Sequence, residues 1–468
     1  MVAKDTHINH GSNGESSTGT VEREVLRATS AFRIPQNLAK DLIEEVVHTN
    51  NLKRAFKAVK RNKGSPGIDK RTIQDVQESL DEIIEELQSS IPKGKYVPSC
   101  VRGVHIPKQN GKTRLLGIPT VIDRMVQQAI VQILSPLFDP HFSDNSYGFR
   151  PKRSASGAIT KAKAFIKSGK SWVVDMDLEA FFDNVNHDIL MSRIAQSISD
   201  KKLLKLIRSF LNAGMMQNGL VSKRDQGTPQ GGPLSPLLSN ILLHDLDREL
   251  HYRAHSFVRY ADDCNIYVSS KVAAQRVLAS VAKFLSSKLK LKVNLTKSAA
   301  SSVQERKFLG FTLLTDGSAT VSKSSLSRFK DKVRLITKRS RGMKLETVIR
   351  ELNQATRGWF HYFKWADFPS PMKHLDGWIR RRLRCYRIKQ RKRKYSIKTF
   401  LTAHGVSQRS SWSLACSRSG WWRKSLSHAS HQALDLEYFE KNNLFSTHSS
   451  FVKHKSETAV CDNACTVV

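Results

Sequence analysis

The sequence predicts an α+β fold, with its strands in the first two thirds and a helical final third. Three observations carry this. Two β-forming runs, Val101 to Ile106 and Thr113 to Ile118, flank Asn110-Gly111, a dipeptide suited to a tight hairpin. A second pair of β-forming runs, Phe257 to Tyr260 and Asn265 to Val268, brackets Ala261-Asp262-Asp263. Beyond about residue 320 strand signals fade and apolar residues recur at helical spacing.

At 468 residues the chain has the length of two to four domains. Its hydrophobic share of 39% and charged share of 25% are those of a globular protein rather than a disordered one. Charge is unusual: 77 Lys and Arg against 41 Asp and Glu leave a net +36. An excess of that size makes a polyanion the expected partner, nucleic acid ahead of an anionic membrane surface. The six cysteines form no disulfide framework, and only Cys461 and Cys465 lie close together, so no second pair completes a zinc site. Neither a signal peptide nor an eighteen-residue apolar span is found, so no membrane association is expected.

Taken in order, residues 1–34 read as a flexible lead-in, since Gly11 to Thr20 has no apolar period. Helical spacing begins at Leu38, with Leu42, Val46 and Val47 on one face and Leu52, Phe56 and Val59 on the next. The turn-rich stretch Asn62 to Gly67 breaks it, and an acidic helix is expected from Thr72 to Ser89. After the first hairpin, Val121 to Phe138 returns to helical spacing, and residues 172–178 form a short strand-like run with Asp175 and, near its end, Asp177 embedded in it.

Asp177, Asp262 and Asp263 carry the functional argument. An aspartate closing an apolar strand is costly to bury unless it is paired or bound to metal. Two adjacent aspartates repel unless cations neutralise them. Hard divalent ions take such oxygen ligands, and a pair of them can clamp the attacking and leaving oxygens of a phosphoryl transfer. A lone Asp-Asp dipeptide is more often a solvated turn. Tyr260-Ala261-Asp262-Asp263 between two β-forming runs, some eighty residues after an Asp-bearing strand, is much more specific.

These residues resemble the signature of reverse transcriptases, and the flanking segments resemble, in order, the blocks of the reverse transcriptase/maturase encoded by group II introns. The matching stretches are Ile106-Pro107-Lys108 through Ile118-Pro119 to Asp123-Arg124-Met125-Val126-Gln127, then Ser146 to Pro151, Asp177 to Val185, Gly227 to Pro236, Tyr260 to Asp263, and Lys307 to Phe311. The resemblance runs from about residue 35 to 445. It implies a right-hand polymerase with fingers and palm over 35–320, a helical thumb (maturase domain X) over 321–395, a basic DNA-binding-like region over 396–448 and a flexible tail over 449–468.

The same resemblance implies the site. Asp177, Asp262 and Asp263, with the backbone carbonyl of Leu178, would hold two Mg²⁺ ions, and Lys297 would protonate the leaving pyrophosphate. Lys108 and Arg114 would grip the triphosphate, a task that suits the planar arginine fork. Phe182 would stack under the deoxyribose, Gln230 would line the nucleotide site in a glycine-rich turn, and Gly310 would belong to the primer grip. Apart from the family, Phe181 and Phe182 read as core, and Lys108, Arg114 and Lys297 as solvated charges.

From Gly377 to Leu434 there is no Asp or Glu. Arg380, Arg381, Arg382, Arg384, Arg387, Lys389 and Arg391 crowd into that stretch and read as a phosphate-contacting surface. Trp359, Phe360, Tyr362 and Phe363 read as helix core. Ser419-Gly420-Trp421-Trp422-Arg423 resembles the family's DNA-contacting C-terminal region. Cys461 and Cys465 do not form the Cys-rich, His-Asn-His nuclease domain of many relatives, so second-strand cleavage is not expected.

The expected function is RNA-directed DNA polymerisation with intron binding, which assists splicing and mobility. The expected partners are intron RNA, an RNA template with a DNA primer, target DNA and deoxynucleoside triphosphates. A bacterial cytoplasm or nucleoid is the expected location, with an organelle left open. Two alternatives stand beside this: an RNA-binding splicing factor with an idle polymerase site, and a reverse transcriptase recruited to defence or repair.

Overall fold

The computed structural model describes residues 41–107, 113–217, 220–222 and 224–464. They divide into two compact units, separated between Ser301 and Ser302. The lead-in over residues 1–34, the Asn110-Gly111 turn, Lys108 and Cys465 lie outside the described residues.

In the first unit the expected hairpin forms from β1 (Val101–Pro107) and β2 (Thr113–Ile118), running antiparallel from Arg102↔Ile118 to Pro107↔Thr113. Strand β1 also pairs in parallel with β4 (Met215–Gln217), which pairs with β5 (Leu220–Ser222) to complete a four-stranded sheet. The helix Val121–Phe138 spans the residues its apolar period indicates. Its first turn is fixed by Thr120, whose hydroxyl accepts from the Asp123 amide at 3.0 Å and donates to the Asp123 carboxylate at 2.7 Å. The acidic helix expected over Thr72 to Ser89 is two helices, Ile73–Glu78 and Leu80–Ser90. They break at Ser79, whose hydroxyl accepts from Arg71 at 2.9 Å; a short polar side chain competes for local hydrogen bonds and tolerates a kink.

A second sheet positions the acidic residues. Strand β3 (Trp172–Met176) lies between β7 (Asp263–Val268) and β8 (Ala299–Ser302), with β6 (Ser256–Tyr260) outside β7. One large apolar core, reaching from Leu42 to Leu291, packs helices around this sheet, with Val174, Met176, Phe257 and Ile266 among its members.

The second unit begins earlier than the expected boundary near 320. Strands β9 (Lys307–Phe308), β10 (Phe311–Leu313) and β11 (Ala319–Val321) form a separate three-stranded sheet. This sheet is tied to the helical part, since the Asp367 carboxylate accepts from the Ala319 amide at 2.7 Å. No division appears near 395 either: one apolar core runs from Phe329 through Leu383 and Ile397 to Phe439. Phe360 and Phe363 are buried, and Trp359 stacks on Phe329 with ring centroids 4.7 Å apart.

The expected tail over 449–468 is also corrected, because Thr447–Ala464 is a helix. Its start is held by the buried Asp376, which accepts from the Thr447 amide (3.1 Å), the His448 amide (2.9 Å) and the hydroxyls of Thr447 (2.7 Å) and Ser446 (2.8 Å). A carboxylate at a helix start satisfies amides that no helical carbonyl reaches. Among the described residues no helix is long and apolar enough to cross a membrane.

Replacing Asp376 with Ala should cost about 2 kcal/mol, because buried donors lose their acceptor. Denaturant unfolding should show the loss, and amide exchange should quicken first at the start of Thr447–Ala464.

Candidate active site

The site starts from strand register. Met176 of β3 pairs with Cys264 of β7, and Asp175 with Asn265. Carried one residue further, that antiparallel register sets Asp177 beside Asp263. The main chain of Asp177 is fixed on its other side, where its carbonyl accepts from the Asn294 amide at 2.8 Å and its amide donates to Ser298 Oγ at 3.0 Å. Leu178 is buried and bridges to Val293. The Lys297 ammonium, on the same connection, lies 2.8 Å from Asp177 Oδ2.

Strands β6 and β7 meet at Tyr260↔Asp263, leaving Ala261 and Asp262 as the two-residue tip. Ala261 sits at φ +59, a left-handed conformation that costs a residue with a Cβ about 1 kcal/mol or more. Arg259 holds the tip in place. This residue is fully buried, and its guanidinium forms a two-pronged pair with the equally buried Asp247 at 2.7 and 2.6 Å. It also donates to Asn240 Oδ1 at 3.0 Å and to the Ala261 carbonyl at 2.9 Å. Burial works against the charge of Arg259, and Asp247 more than restores it.

The block Ser146 to Arg150 braces the same turn from outside. The Tyr147 amide donates to the Arg259 carbonyl, and the Arg259 amide to the Asn145 carbonyl, both at 2.9 Å. A Cβ on Gly148 would come within 2.2 Å of the Ala261 nitrogen, so only glycine fits there. Arg150 is buried beneath this loop, paired to Asp139 at 2.7 Å and donating to the carbonyls of Ser143 and Ser146.

Burial pushes the Asp262 carboxyl above the usual carboxylate range, and the negative charge of Asp177 pushes it further. The charges of Arg114 and Arg259 oppose that rise. Asp177, Asp262 and Arg114 therefore share one electrostatic neighbourhood. Among the described residues no three acidic, His or Cys side chains form a ready-made metal cluster; Asp177 has Lys297 against it.

The residues expected at the nucleotide, Arg114, Gln230 and Phe182, converge on the loop from Gly227 to Gly232. Gln230 Oε1 accepts from Arg114 Nε at 2.5 Å, and the Gln230 carbonyl accepts from the Gly117 amide at 2.9 Å. Gly231 has φ +131, and a Cβ there would lie 2.5 Å from the Gly117 carbonyl oxygen. The other end of the loop is tied to the segment bearing Phe182, since the Thr228 amide donates to the Phe182 carbonyl at 2.6 Å. Phe181 is buried and Phe182 half-buried, with the two rings edge to face at 5.2 Å.

Gly310 belongs to the second unit, in the turn between β9 and β10, at φ +83. The arginine-rich stretch is less available than its composition suggests. Arg384 is only 6% exposed and donates to the Leu434 carbonyl at 2.8 Å. Burial, with help from the charge of Arg380, lowers its pKa to about 10. The expectation that Arg384 contacts nucleic acid is therefore corrected: the 370–390 helix turns it into the core beside Leu383. Arg382 donates to Thr337 Oγ1 at 2.5 Å, Arg381 stacks over Trp422 at 3.9 Å, and Arg391 covers Phe400 at 4.5 Å. Arg380, Arg387 and Lys389 are half-buried, and within this stretch Lys392, Arg393 and Lys394 are exposed.

Sequence reasoning missed Arg259, Asp247 and Asn240. The signal was available: a charged residue at the centre of the apolar run Phe257-Val258-Arg259-Tyr260-Ala261 must find a buried partner.

Residues 106–313 match the family described as reverse transcriptase (RNA-dependent DNA polymerase). Residues 326–403 match the maturase-specific domain of group II introns. The chain is 31% identical to protein YkfC of Escherichia coli over 328 residues, which is 61% of this chain and 86% of that one. It is 32% identical to the group II intron-encoded protein LtrA of Lactococcus lactis over 337 residues, 58% of this chain and 56% of LtrA. A putative COX1/OXI3 intron 1 protein of Saccharomyces cerevisiae is 29% identical, with 62% of this chain and 34% of that protein covered. The match thus spans little more than half the length of LtrA.

Arg259→Met should cost about 3–5 kcal/mol, because it leaves the Asp247 carboxylate buried and alone. Adding Asp247→Leu should recover most of that stability in thermal unfolding. Activity should stay at least tenfold down, since the Ala261 carbonyl still lacks its donor.

Proposed function

The chain belongs to the family of group II intron-encoded reverse transcriptases with a maturase domain, and on that premise we propose that it copies RNA into DNA and binds its own intron RNA to assist splicing and mobility. The observation that carries this reading is the register that sets Asp177 beside the Asp262-Asp263 tip, with Arg114 and Gln230 joined on the nucleotide side. Nucleic acid, RNA included, is the partner class that goes with the family and with a net charge of +36.

Divalent-metal dependence also goes with the family. The donor set fits a hard cation: carboxylate oxygens of Asp177, Asp262 and Asp263 and the carbonyl of Leu178, with the Asp177 charge already raising the proton affinity of Asp262. On our reading these residues hold two Mg²⁺ ions. When bound, the ions lower the pKa of a primer 3′-hydroxyl and neutralise charge on the pyrophosphate leaving group.

The chain's own residues supply the rest. Arg114, with Lys108, holds the triphosphate of an incoming deoxynucleotide, and the hydrogen bond to Gln230 aims its fork. Phe182, anchored by the carbonyl that Thr228 caps, presents a ring edge where a ribose 2′-hydroxyl would collide. Lys297 carries a proton beside Asp177 and delivers it to pyrophosphate. Gly310 allows close approach of a primer backbone. Arg380, Arg381, Arg387, Lys389 and Arg391, with Lys392 to Lys394, take RNA phosphates. The region over 396–448 contacts target DNA, and the location is where the intron is transcribed, a bacterial cytoplasm or nucleoid.

Asp262→Asn with Asp263→Asn should lower Mg²⁺-dependent primer extension at least about a thousandfold, the several kcal/mol that metal-held charge contributes. Intron RNA affinity, measured by filter binding, should change by less than about twofold. Collapse of RNA binding in a folded variant would refute the division of labour. Phe182→Ala should raise ribonucleotide incorporation relative to deoxyribonucleotide by about ten- to a hundredfold, read from paired kcat/KM values. An unchanged ratio would remove Phe182 from the gate.

A further inference from the structure

Among the buried polar side chains not yet given a role, His187 stands against the loop from Gly227 to Gly232. It opens the helix His187–Ser197, whose start is capped by Asn186, the side chain accepting from the Ile189 amide at 2.9 Å. The imidazole is only 2% exposed, and its Nε2 lies 2.6 Å from the Gly227 carbonyl oxygen. A carbonyl oxygen can only accept, so Nε2 carries a proton.

The other ring nitrogen separates this role from mere packing. Nδ1 is buried and has no hydrogen-bond partner among the described residues. Filling space alone would favour an apolar ring, because a covered polar atom without a partner lowers stability. What the imidazole supplies, and an apolar ring would not, is one N–H aimed at one carbonyl.

That carbonyl belongs to the peptide that joins the loop to the Phe182 segment. Gly227 has φ +88, and a Cβ on it would lie 2.7 Å from the Asp183 carbonyl oxygen and 2.9 Å from that of Phe182. Its amide donates to the Val185 carbonyl at 2.7 Å. The next amide, of Thr228, donates to the Phe182 carbonyl at 2.6 Å. The Gly227 carbonyl and the Thr228 amide are two ends of one planar unit. His187 grips one end and Phe182 is gripped by the other, so the plane cannot turn without moving both.

We propose that His187 is a positioning residue for sugar selection. Its Nε2–H locks the orientation of the Gly227–Thr228 peptide, which holds the Phe182 main chain and thereby sets how closely the Phe182 ring approaches the sugar of an incoming nucleotide. A misplacement of about 1 Å in a positioned group can cost an enzyme about a hundredfold, so one hydrogen bond at this peptide reaches the selection step. The inference deepens the reading of Phe182 as the sugar gate and rests on it.

The test uses the full chain with RNA template, DNA primer and Mg²⁺, and reads kcat/KM for a ribonucleotide relative to the matching deoxyribonucleotide. His187→Phe keeps a ring and removes the N–H. It should raise that ratio about five- to thirtyfold, the range expected of one hydrogen bond. His187→Gln sets an amide N–H at about the reach of Nε2 and should return the ratio to within about threefold of the unaltered protein. His187→Asn falls short of the carbonyl and should behave like His187→Phe. A side chain that only filled the core would give the reverse order, with His187→Phe tolerated and His187→Gln not. Added to Phe182→Ala, His187→Phe should change the ratio no further, because both act through one ring.

If Phe182→Ala raises the ratio while folded His187→Phe and His187→Asn do not, the inference falls and the gate reading stands. Failure of folded His187→Gln to restore the ratio, or effects that multiply in the double variant, would have the same result. An unchanged ratio in Phe182→Ala would remove the gate and the inference together. A nitrogen spectrum of the unaltered, histidine-labelled protein decides the matter even where His187→Phe does not fold. The His187 ring, identified by its absence from His187→Gln, should bear a proton on Nε2, and a ring protonated at Nδ1 alone would overturn the proposal.

Discussion

A guanidinium without access to water sets the geometry of the acidic site. Arg259 lies at the centre of an apolar strand, where an unpaired charge would be ruinous, and Asp247 makes it tolerable by meeting both prongs of the fork. A buried ion pair is poor evidence of stability, since matched apolar residues often do as well. Its value here is directional. The same guanidinium reaches the Ala261 carbonyl, and so specifies a left-handed residue in a turn that would otherwise relax. Asp262 and Asp263 point where they do because the residue before Tyr260 is held from behind.

The outer brace follows the same logic with main chain in place of charge. Gly148 leaves room for the Ala261 backbone, and Arg150, itself buried, ties the loop that carries it. The sequence block around Ser146 to Arg150 thus acts on the site without touching it. The loop from Gly227 to Gly232 is similar: its glycines let it lie against the Gly117 carbonyl, and its amides hold the Phe182 segment. Motifs that read as nucleotide-binding also serve as struts between strands.

Charge in the C-terminal half is divided between two tasks. Arg382, Arg384 and Arg391 spend their guanidinium groups on hydroxyls, carbonyls and rings inside the second unit. Arginine suits this because its face packs on aromatic rings while its edge still donates. Among the exposed cations left for a polyanion are Lys392 to Lys394, beside the half-buried Arg380, Arg387 and Lys389. A run of basic residues is thus a poor map of a basic surface.

The sequence by itself determined the local elements and the candidate chemistry. The two hairpins follow from β-forming runs and turn residues, the helix Val121–Phe138 from its apolar period, and the three aspartates from their setting in β-forming runs; each depends on neighbours within a few residues. It misjudged the acidic helix, the domain limits and the tail, because Ser79, Asp367 and Asp376 act through hydrogen bonds that composition does not reveal. Only the tertiary structure decided that Asp177 lies beside Asp263, that Arg114 meets Gln230, and that Arg384 turns inward to the Leu434 carbonyl. Those facts join residues from 50 to 116 positions apart, and such pairings are set by how strands and helices stack rather than by local preference.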